Sequence, residues 1–172
     1  MKKDNWIYKV FLMTFFLSIL FGSISNIITS KANIVVMILI TILVVGIGIV
    51  FDMIGTASLT SKEATFHAKS SRKIKGAKES IKLIKNSVRI SSICNDVIGD
   101  ICGIISGGMG AMIAISVAKY FNGNITISSI IISSLISSMT VGGKAIFKRI
   151  AIKKCDDIIF LVGKLKSLIK IK

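Results

Sequence analysis

The chain contains no proline, one histidine and only eight acidic residues in a length of 172. Without proline, no helix is interrupted by a residue that lacks a backbone N–H donor. His67 has no histidine or cysteine at metal-ligand spacing, and the three cysteines form no Cys-x-x-Cys pair, so neither a zinc site nor a disulfide framework is predicted. Phosphate-binding loops, dinucleotide-binding fingerprints and nucleophile elbows are also missing from the sequence. We therefore predict that the protein is not an enzyme.

Hydrophobic residues, by contrast, make up 52% of the sequence, and the mean hydropathy is +0.79. Several apolar stretches reach the roughly 20 residues that a helix needs to cross a bilayer. This composition predicts an all-α integral membrane protein. Because the charged stretches between the apolar ones are too short for a soluble domain, we expect a single membrane domain over residues 1–172.

Four transmembrane spans are predicted, at residues 6–28, 34–57, 90–117 and 125–141. The first span follows Met1-Lys2-Lys3 and so resembles a signal peptide, but its apolar run is longer than that of a typical signal peptide. We interpret it as an uncleaved span, and cleavage near Gly22 is the alternative.

Two basic segments, 58–89 and 145–172, carry too much charge to cross a membrane. Between Ala77 and Val88, apolar residues recur at helical spacing and lysines occupy the other side, and the C-terminal segment has the same pattern. Each segment therefore predicts a basic amphipathic helix that lies at a membrane surface.

The distribution of basic residues predicts the orientation of the chain. Lys and Arg number 23, and nine of them lie in 58–89 and nine after Val141, whereas the two opposite turns carry only Lys31 and Lys119. The positive-inside rule then places both termini and the 58–89 segment in the cytoplasm. Because the Lys- and Ile-rich composition is typical of AT-rich bacteria, we expect a multi-pass protein of a bacterial plasma membrane. Its basic segments would face anionic lipid of the inner leaflet, and no nucleic-acid partner is predicted.

Two aspartates, Asp96 and Asp100, lie within the third predicted span and are four residues apart. On an α-helix this spacing places them on one face. A carboxylate at membrane depth is costly unless it meets protein, water or a cation. The sequence thus predicts either a Mg²⁺-type cation site or a pair of acids bonded to nearby basic residues, with Lys62, Lys69 and Arg89 as candidates.

Asp52, late in the second span, would lie on the same side of the membrane as Asp96 and Asp100. The three carboxylates could line one cavity, or Asp52 could pair with a lysine at headgroup level. Small residues also recur every four positions in the third span, at Asn95, Gly99, Gly103, Gly107 and Ala111. This ridge predicts close contact with another helix.

The order of these features resembles the membrane domain of the CorC/CorB and cyclin M family of Mg²⁺ and Co²⁺ transport proteins, in particular short clostridial CorB-like chains that lack CBS domains. The similar segments are FDMIGTASLTS at 51–61, GAKESIKLIKN at 76–86 and GIISGG at 103–108, with Arg89, Ser92 and Asn95 between them. The resemblance covers roughly residues 50–115. This chain departs from the family's pattern at Thr56, where an acidic residue is usual, and in its additional first span.

The resemblance implies a dimeric membrane unit with a cation site built from Ser, Asn, acidic and backbone oxygens. On that basis Ser92 and Asn95 are the best-matching ligand positions, and Asp96, Asp100 and Asp52 complete the predicted set for Mg²⁺, with Co²⁺ as a second ion. The alternative function is a membrane scaffold or interaction protein that moves no ions. A holin-like pore is a third hypothesis, which the intramembrane acids do not favour.

Overall fold

The computed structural model describes residues 5–169, of which no residue forms a strand, and 90% of the structure is helical. The prediction of an all-α chain is therefore confirmed. The helices in chain order are α1 (Asn5–Lys31), α2 (Ile34–Thr60), α3 (Glu63–Ser71), α4 (Ala77–Lys85), α5 (Ser87–Ser91), a π-helical segment (Ser92–Ile98), α6 (Gly99–Tyr120), α7 (Ile125–Lys153) and α8 (Cys155–Ile169).

Three helices are long and apolar enough to cross a membrane. They are α2, the continuous helix Ser87–Tyr120 that comprises α5, the π segment and α6, and α7. These helices correspond to the second, third and fourth predicted spans. In α1 the described apolar part is the shorter stretch Phe11–Ser23, so the first of the four spans stays a prediction.

Large apolar side chains remain exposed on these helices. Leu39 and Leu43 of α2 are 62% and 61% exposed, and Ile130 and Ile131 of α7 are each 61% exposed. A soluble protein rarely exposes so much contiguous apolar surface, because water solvates it poorly. The structure is thus compatible with a membrane-associated protein.

The boundary between α7 and α8 differs from the predicted one. α7 continues past Val141 to Lys153, and the next helix begins at Cys155 instead of residue 145. Gly142 and Gly143 do not end the helix, since neither has a positive φ. The break falls at Lys154. Asp156 and Asp157 follow in the first turn of α8, where their carboxylates interact favourably with the helix dipole.

The structure separates into two compact units. The first contains the described residues up to Gly48 together with Val97–Gly143, and the second contains Ile49–Asp96 and the chain from Lys144 onward. In the first unit α1 packs against α6. The Thr41 hydroxyl donates a hydrogen bond to the Met37 carbonyl oxygen at 2.8 Å and lies 3.6 Å from the Met109 sulfur. The prediction of a single membrane domain is not tested by this division.

The second unit has its own apolar core, in which α4 packs against α3 and α8. The core side chains are Ala57, Phe66, Leu83, Ala151 and Ile159. α4 is amphipathic as predicted, because Ala77, Ser80 and Leu83 are buried while its lysines are exposed. The sequence assigned this face to a membrane surface, whereas in the structure it is covered by α3 and α8.

The crossing of α4 and α8 depends on a glycine. Ser80 is fully buried, and its hydroxyl lies 3.0 Å from the Gly76 carbonyl oxygen and 3.2 Å from the Ile159 carbonyl oxygen. A Cβ atom at Gly163 would overlap the Ser80 hydroxyl and lie 2.8 Å from the Gly76 carbonyl oxygen. Because two of the atoms nearest to this position belong to the backbone, the helices could accept a side chain there only by separating.

Candidate cation site

The Ser92–Ile98 segment is π-helical, although the helix on either side of it is α-helical. It contains three of the five predicted ligand residues, Ser92, Asn95 and Asp96. π-Helical turns have i→i+5 hydrogen bonds and are rare, and they occur frequently at functional sites. The wider turn changes which side chains share a face. A spacing of four residues therefore no longer places Asp96 and Asp100 on one face, as it would in an α-helix.

Asn95 lies against α2 within the second unit. Its side-chain amide Nδ2 donates a hydrogen bond to the Ser91 hydroxyl at 3.2 Å. Its Oδ1 is buried and has no hydrogen-bond donor among the residues described. A buried carbonyl oxygen without a donor costs about 1–3 kcal/mol. Asn95 therefore holds a desolvated amide oxygen whose lost hydration no described donor replaces.

Gly55 of α2 makes this position of Asn95 possible. A Cβ atom at residue 55 would overlap the Asn95 Oδ1 and lie 2.8 Å from its Cγ. Sequence reasoning did not identify Gly55 as part of the site. The sequence feature that could have indicated Gly55 is its place three residues after Asp52 in the second predicted span, whose neighbour in the chain is the span with the small residues.

Ser92 and Asp96 are paired by a side-chain hydrogen bond. The Ser92 hydroxyl donates to Asp96 Oδ2 at 2.9 Å. Asp96 is exposed and Ser92 is partly buried. The hydroxyl therefore orients a carboxylate that remains accessible, and carboxylate, amide and hydroxyl oxygens are the ligands that Mg²⁺ accepts.

Asp52 has a different neighbour. Its Oδ1 lies 3.9 Å from the Lys144 ammonium nitrogen, and its side chain is only 15% exposed. This is the lysine pairing that the sequence left as the alternative for Asp52. The sequence did not indicate Lys144 as this partner, because it is distant from Asp52 in the chain and lies on α7.

Asp100 is exposed and lies in α6. By the division of the chain it belongs to the first unit, whereas Asp52 and Asp96 belong to the second. Throughout residues 5–169, no three His, Cys, Asp or Glu side chains form a group that could hold a metal ion. The cavity of three carboxylates suggested by the sequence therefore stays a prediction, and the described oxygens that lie near Asp96 are those of Ser92 and Asn95.

The predicted ridge of small residues on the third span is only partly a contact. Gly99 is buried, but Gly103 and Gly107 are exposed, and a Cβ atom at either would have nothing within 4 Å. Within the chain, the predicted helix contact is therefore wrong for these two glycines. Besides Gly55, two other glycines of α2 and α6 are in close contact. A Cβ atom at Gly48 would lie 3.1 Å from that of Cys102, and one at Gly110 would lie 2.6 Å from the Ile136 Cδ1.

A scan against protein-family models, a search of the curated proteins and a search of the solved structures each gave no match to this chain. The resemblance to the CorC/CorB family accordingly stays a prediction from the motifs in the sequence.

Proposed function

We propose that this chain is a CorB/CorC-like integral membrane protein that binds or transports divalent cations, with Mg²⁺ as the principal ion and Co²⁺ as a second. The observation that carries the proposal is the buried Asn95 Oδ1, which has no donor among the described residues. It lies in a π-helical segment beside the hydrogen-bonded pair Ser92 and Asp96. A bound cation would compensate the oxygen for its lost hydration.

The proposed ligands suit a hard cation. Asp96 supplies charge, and Asn95 and Ser92 supply neutral oxygens. Because Mg²⁺ retains several water ligands, one or two carboxylates and a few neutral oxygens are enough to hold it. Asp100 is the proposed second carboxylate. Asp52 would join the site only by leaving Lys144, and we assign it the weakest role.

The membrane setting of this proposal rests on the three apolar helices and on the charge asymmetry of the sequence. We propose four spans in a bacterial plasma membrane, with both termini in the cytoplasm. The expected partners are the lipid bilayer, anionic lipid of the inner leaflet and a second copy of the chain in a homodimer.

A non-transporting scaffold on the same fold is the second candidate. The separation of 3.9 Å between Asp52 and Lys144 favours it, because a lysine neutralises that carboxylate without any metal ion. In that case Asn95 acts only in helix packing, through its close contact with Gly55.

Thermal unfolding of the purified protein in an uncharged detergent separates the two candidates. If Mg²⁺ binds the folded state alone, a concentration 100 times the Kd stabilises that state by about 2.7 kcal/mol. The melting temperature of the wild type should then rise by roughly 5–10 °C in saturating Mg²⁺. Asp96→Asn/Asp100→Asn should abolish this rise.

A matched control distinguishes loss of the site from loss of negative charge in general. Asp156→Asn/Asp157→Asn removes the same charge from the first turn of α8. Its baseline melting temperature should fall because the helix dipole loses its compensation, but its response to Mg²⁺ should equal that of the wild type. A wild type that does not respond to Mg²⁺ would leave the scaffold as the better account.

A further inference from the structure

A basic cavity lies at the turn between α3 and α4 in the second unit. It has a volume of about 390 Å³, and its lining includes Ser70, Lys73, Lys75, Gly76, Lys78 and Ser167. In the part of the chain that the structure describes, none of these three lysines lies within 4.0 Å of a carboxylate oxygen. Three ammonium groups around one cavity repel each other, so an anion bound among them would lower their electrostatic energy.

The turn itself brings the lysines together. The Lys73 N–H bonds to the Ser70 carbonyl oxygen at 2.9 Å, and the Ile74 N–H bonds to the Lys69 carbonyl oxygen at 3.2 Å. These two bonds form a Schellman motif at the end of α3. The motif places Lys73 at a φ of 54°, a left-handed conformation in which Gly or Asn is usual. Lys73 therefore stands at the edge of the cavity, two residues before Lys75.

The start of α4 lies at the same cavity and adds the positive end of the helix dipole. Its N-cap is Gly76, at a φ of 95°, and no side chain caps the helix. A Cβ atom at Gly76 would lie 2.8 Å from the backbone nitrogen of Lys164, so the packing against α8 excludes a capping side chain. The Ala77 N–H already donates to the Ile74 carbonyl oxygen at 3.2 Å. The contribution of this helix start to anion binding is therefore its dipole, and the lysines supply the donors.

Glu79 also lines the cavity, and its carboxylate opposes an anion. Its Oε1, however, accepts a hydrogen bond from the Lys82 ammonium group at 3.2 Å, and Lys82 lies outside the lining. The lining thus contains three lysines and one carboxylate, and Lys82 already neutralises that carboxylate. The cavity remains electropositive.

We propose that this cavity binds a phosphate group, carried by the headgroup of an anionic lipid or free in solution. A phosphate has several acceptor oxygens for the lysines, and the N-terminal end of the α4 dipole favours its negative charge. The lipid source is supported by the chain on either side. α3 begins three residues after α2 ends, and α4 ends two residues before Ser87, so both flanks of the cavity continue into candidate membrane spans. The proposal does not depend on cation binding.

The test uses the full-length protein in an uncharged detergent, with short-chain phosphatidic acid in one arm and inorganic phosphate in the other. The pocket variant is Lys73→Gln/Lys75→Gln/Lys78→Gln. The control Lys148→Gln/Lys153→Gln/Lys154→Gln removes the same charge from exposed positions of the same unit that do not line the cavity. The readout is the ligand concentration that gives half of the maximal rise in melting temperature.

Each lysine near an anionic surface contributes roughly fivefold to affinity. The pocket variant should therefore need at least about tenfold more ligand than the control variant. A response to phosphatidic acid alone identifies the lipid headgroup as the source, and an equal response to inorganic phosphate identifies the free anion. Equal responses of the two variants, or no response of the wild type in either arm, would overturn the proposal. If the triple variant does not fold, Lys75→Gln/Lys78→Gln against Lys153→Gln/Lys154→Gln gives the same comparison with the Schellman turn intact.

Discussion

The side-chain amide oxygen of Asn95 lies directly against the Cα of Gly55, at a position where any side chain on residue 55 would overlap it. The contact joins the π-helical segment to α2 and leaves this oxygen buried without a donor among the described residues. One glycine thus permits both the close packing of the two helices and the desolvation of a potential ligand. The first prediction follows from this contact.

Gly55→Ala should displace Asn95 and lower the free energy of unfolding by about 1–3 kcal/mol, as is usual for overpacking. Gly46→Ala is the control on the same helix, because a Cβ atom there meets nothing within 4 Å. It should not lower stability, since alanine is the better helix former. Thermal unfolding of the two variants in one detergent measures the difference, and equal melting temperatures would count against the Gly55 contact.

The crossing of α4 and α8 gives a second prediction. Gly163→Ala should destabilise the second unit by roughly 1–3 kcal/mol, because the new methyl group overlaps Ser80 and approaches the Gly76 carbonyl oxygen. Adding Ser80→Ala removes the hydroxyl but not the backbone atoms, so the double variant should recover only part of the loss. Complete recovery in chemical denaturation would mean that the hydroxyl alone limits the approach of the helices.

A glycine of α2 and a glycine of α6 give a third prediction. Gly48→Leu should cost about 1–3 kcal/mol, because residue 48 is buried against Cys102. Gly103→Leu should change the stability of the monomer by less than about 0.5 kcal/mol, as exposed substitutions usually do. Measuring melting temperature and oligomeric state together is decisive here. A large loss at Gly103 together with a change in oligomeric state would show that this surface has a contact outside the single chain. A large loss without that change would mean that leucine overfills the cleft that Gly103 lines with Ser133 and Ser137 of α7.

The charged pair at the start of α3 predicts a pH dependence of stability. The hydrogen bond from His67 at 3.0 Å is the main cause that lowers the pKa of Glu63 from its ordinary value of 4.5, and Lys85 at 3.5 Å lowers it further. A carboxyl group with a lowered pKa in the folded state stabilises that state above its unfolded pKa, and the contribution is lost as the pH falls through the folded pKa.

Glu63→Gln removes this contribution. The wild type should be more stable than the variant near neutral pH, and the difference should close as the pH falls below the ordinary value of 4.5. Unfolding of both proteins by denaturant, followed from about pH 6 to pH 3, tests the sign. A difference that stays constant over this range would exclude the ionised carboxylate as its source.

Helical periodicity and hydropathy were sufficient to predict the three long apolar helices and the amphipathic α4. They could not predict where α7 ends, because Gly142 and Gly143 are compatible with a continuous helix as well as with a break. Nor could they predict the π-helical segment, since no periodicity in the sequence distinguishes Ser92–Ile98 from the α-helix on either side.

The candidate site was only partly predictable, because some of its side chains pair with residues that are distant in the chain. The sequence identified Asp52 as a carboxylate that needs a partner, but Lys144 lies more than ninety residues away in the chain, and only the fold brings the two together. Gly103 and Gly107 line a cleft with residues of α7 but make no close contact within the chain, because the spacing of small residues does not determine how closely a neighbouring helix approaches.

The most direct test of the proposed function is Mg²⁺ binding measured by titration calorimetry on the purified wild type and on Asn95→Leu. Leucine has nearly the shape of asparagine and removes the buried oxygen, so the variant should remain folded with a similar melting temperature in the absence of metal. The proposal predicts saturable binding to the wild type and at least about tenfold weaker binding to the variant, as is typical for loss of a site residue. Equal Mg²⁺ affinities for the two folded proteins, or no binding to the wild type, would contradict it.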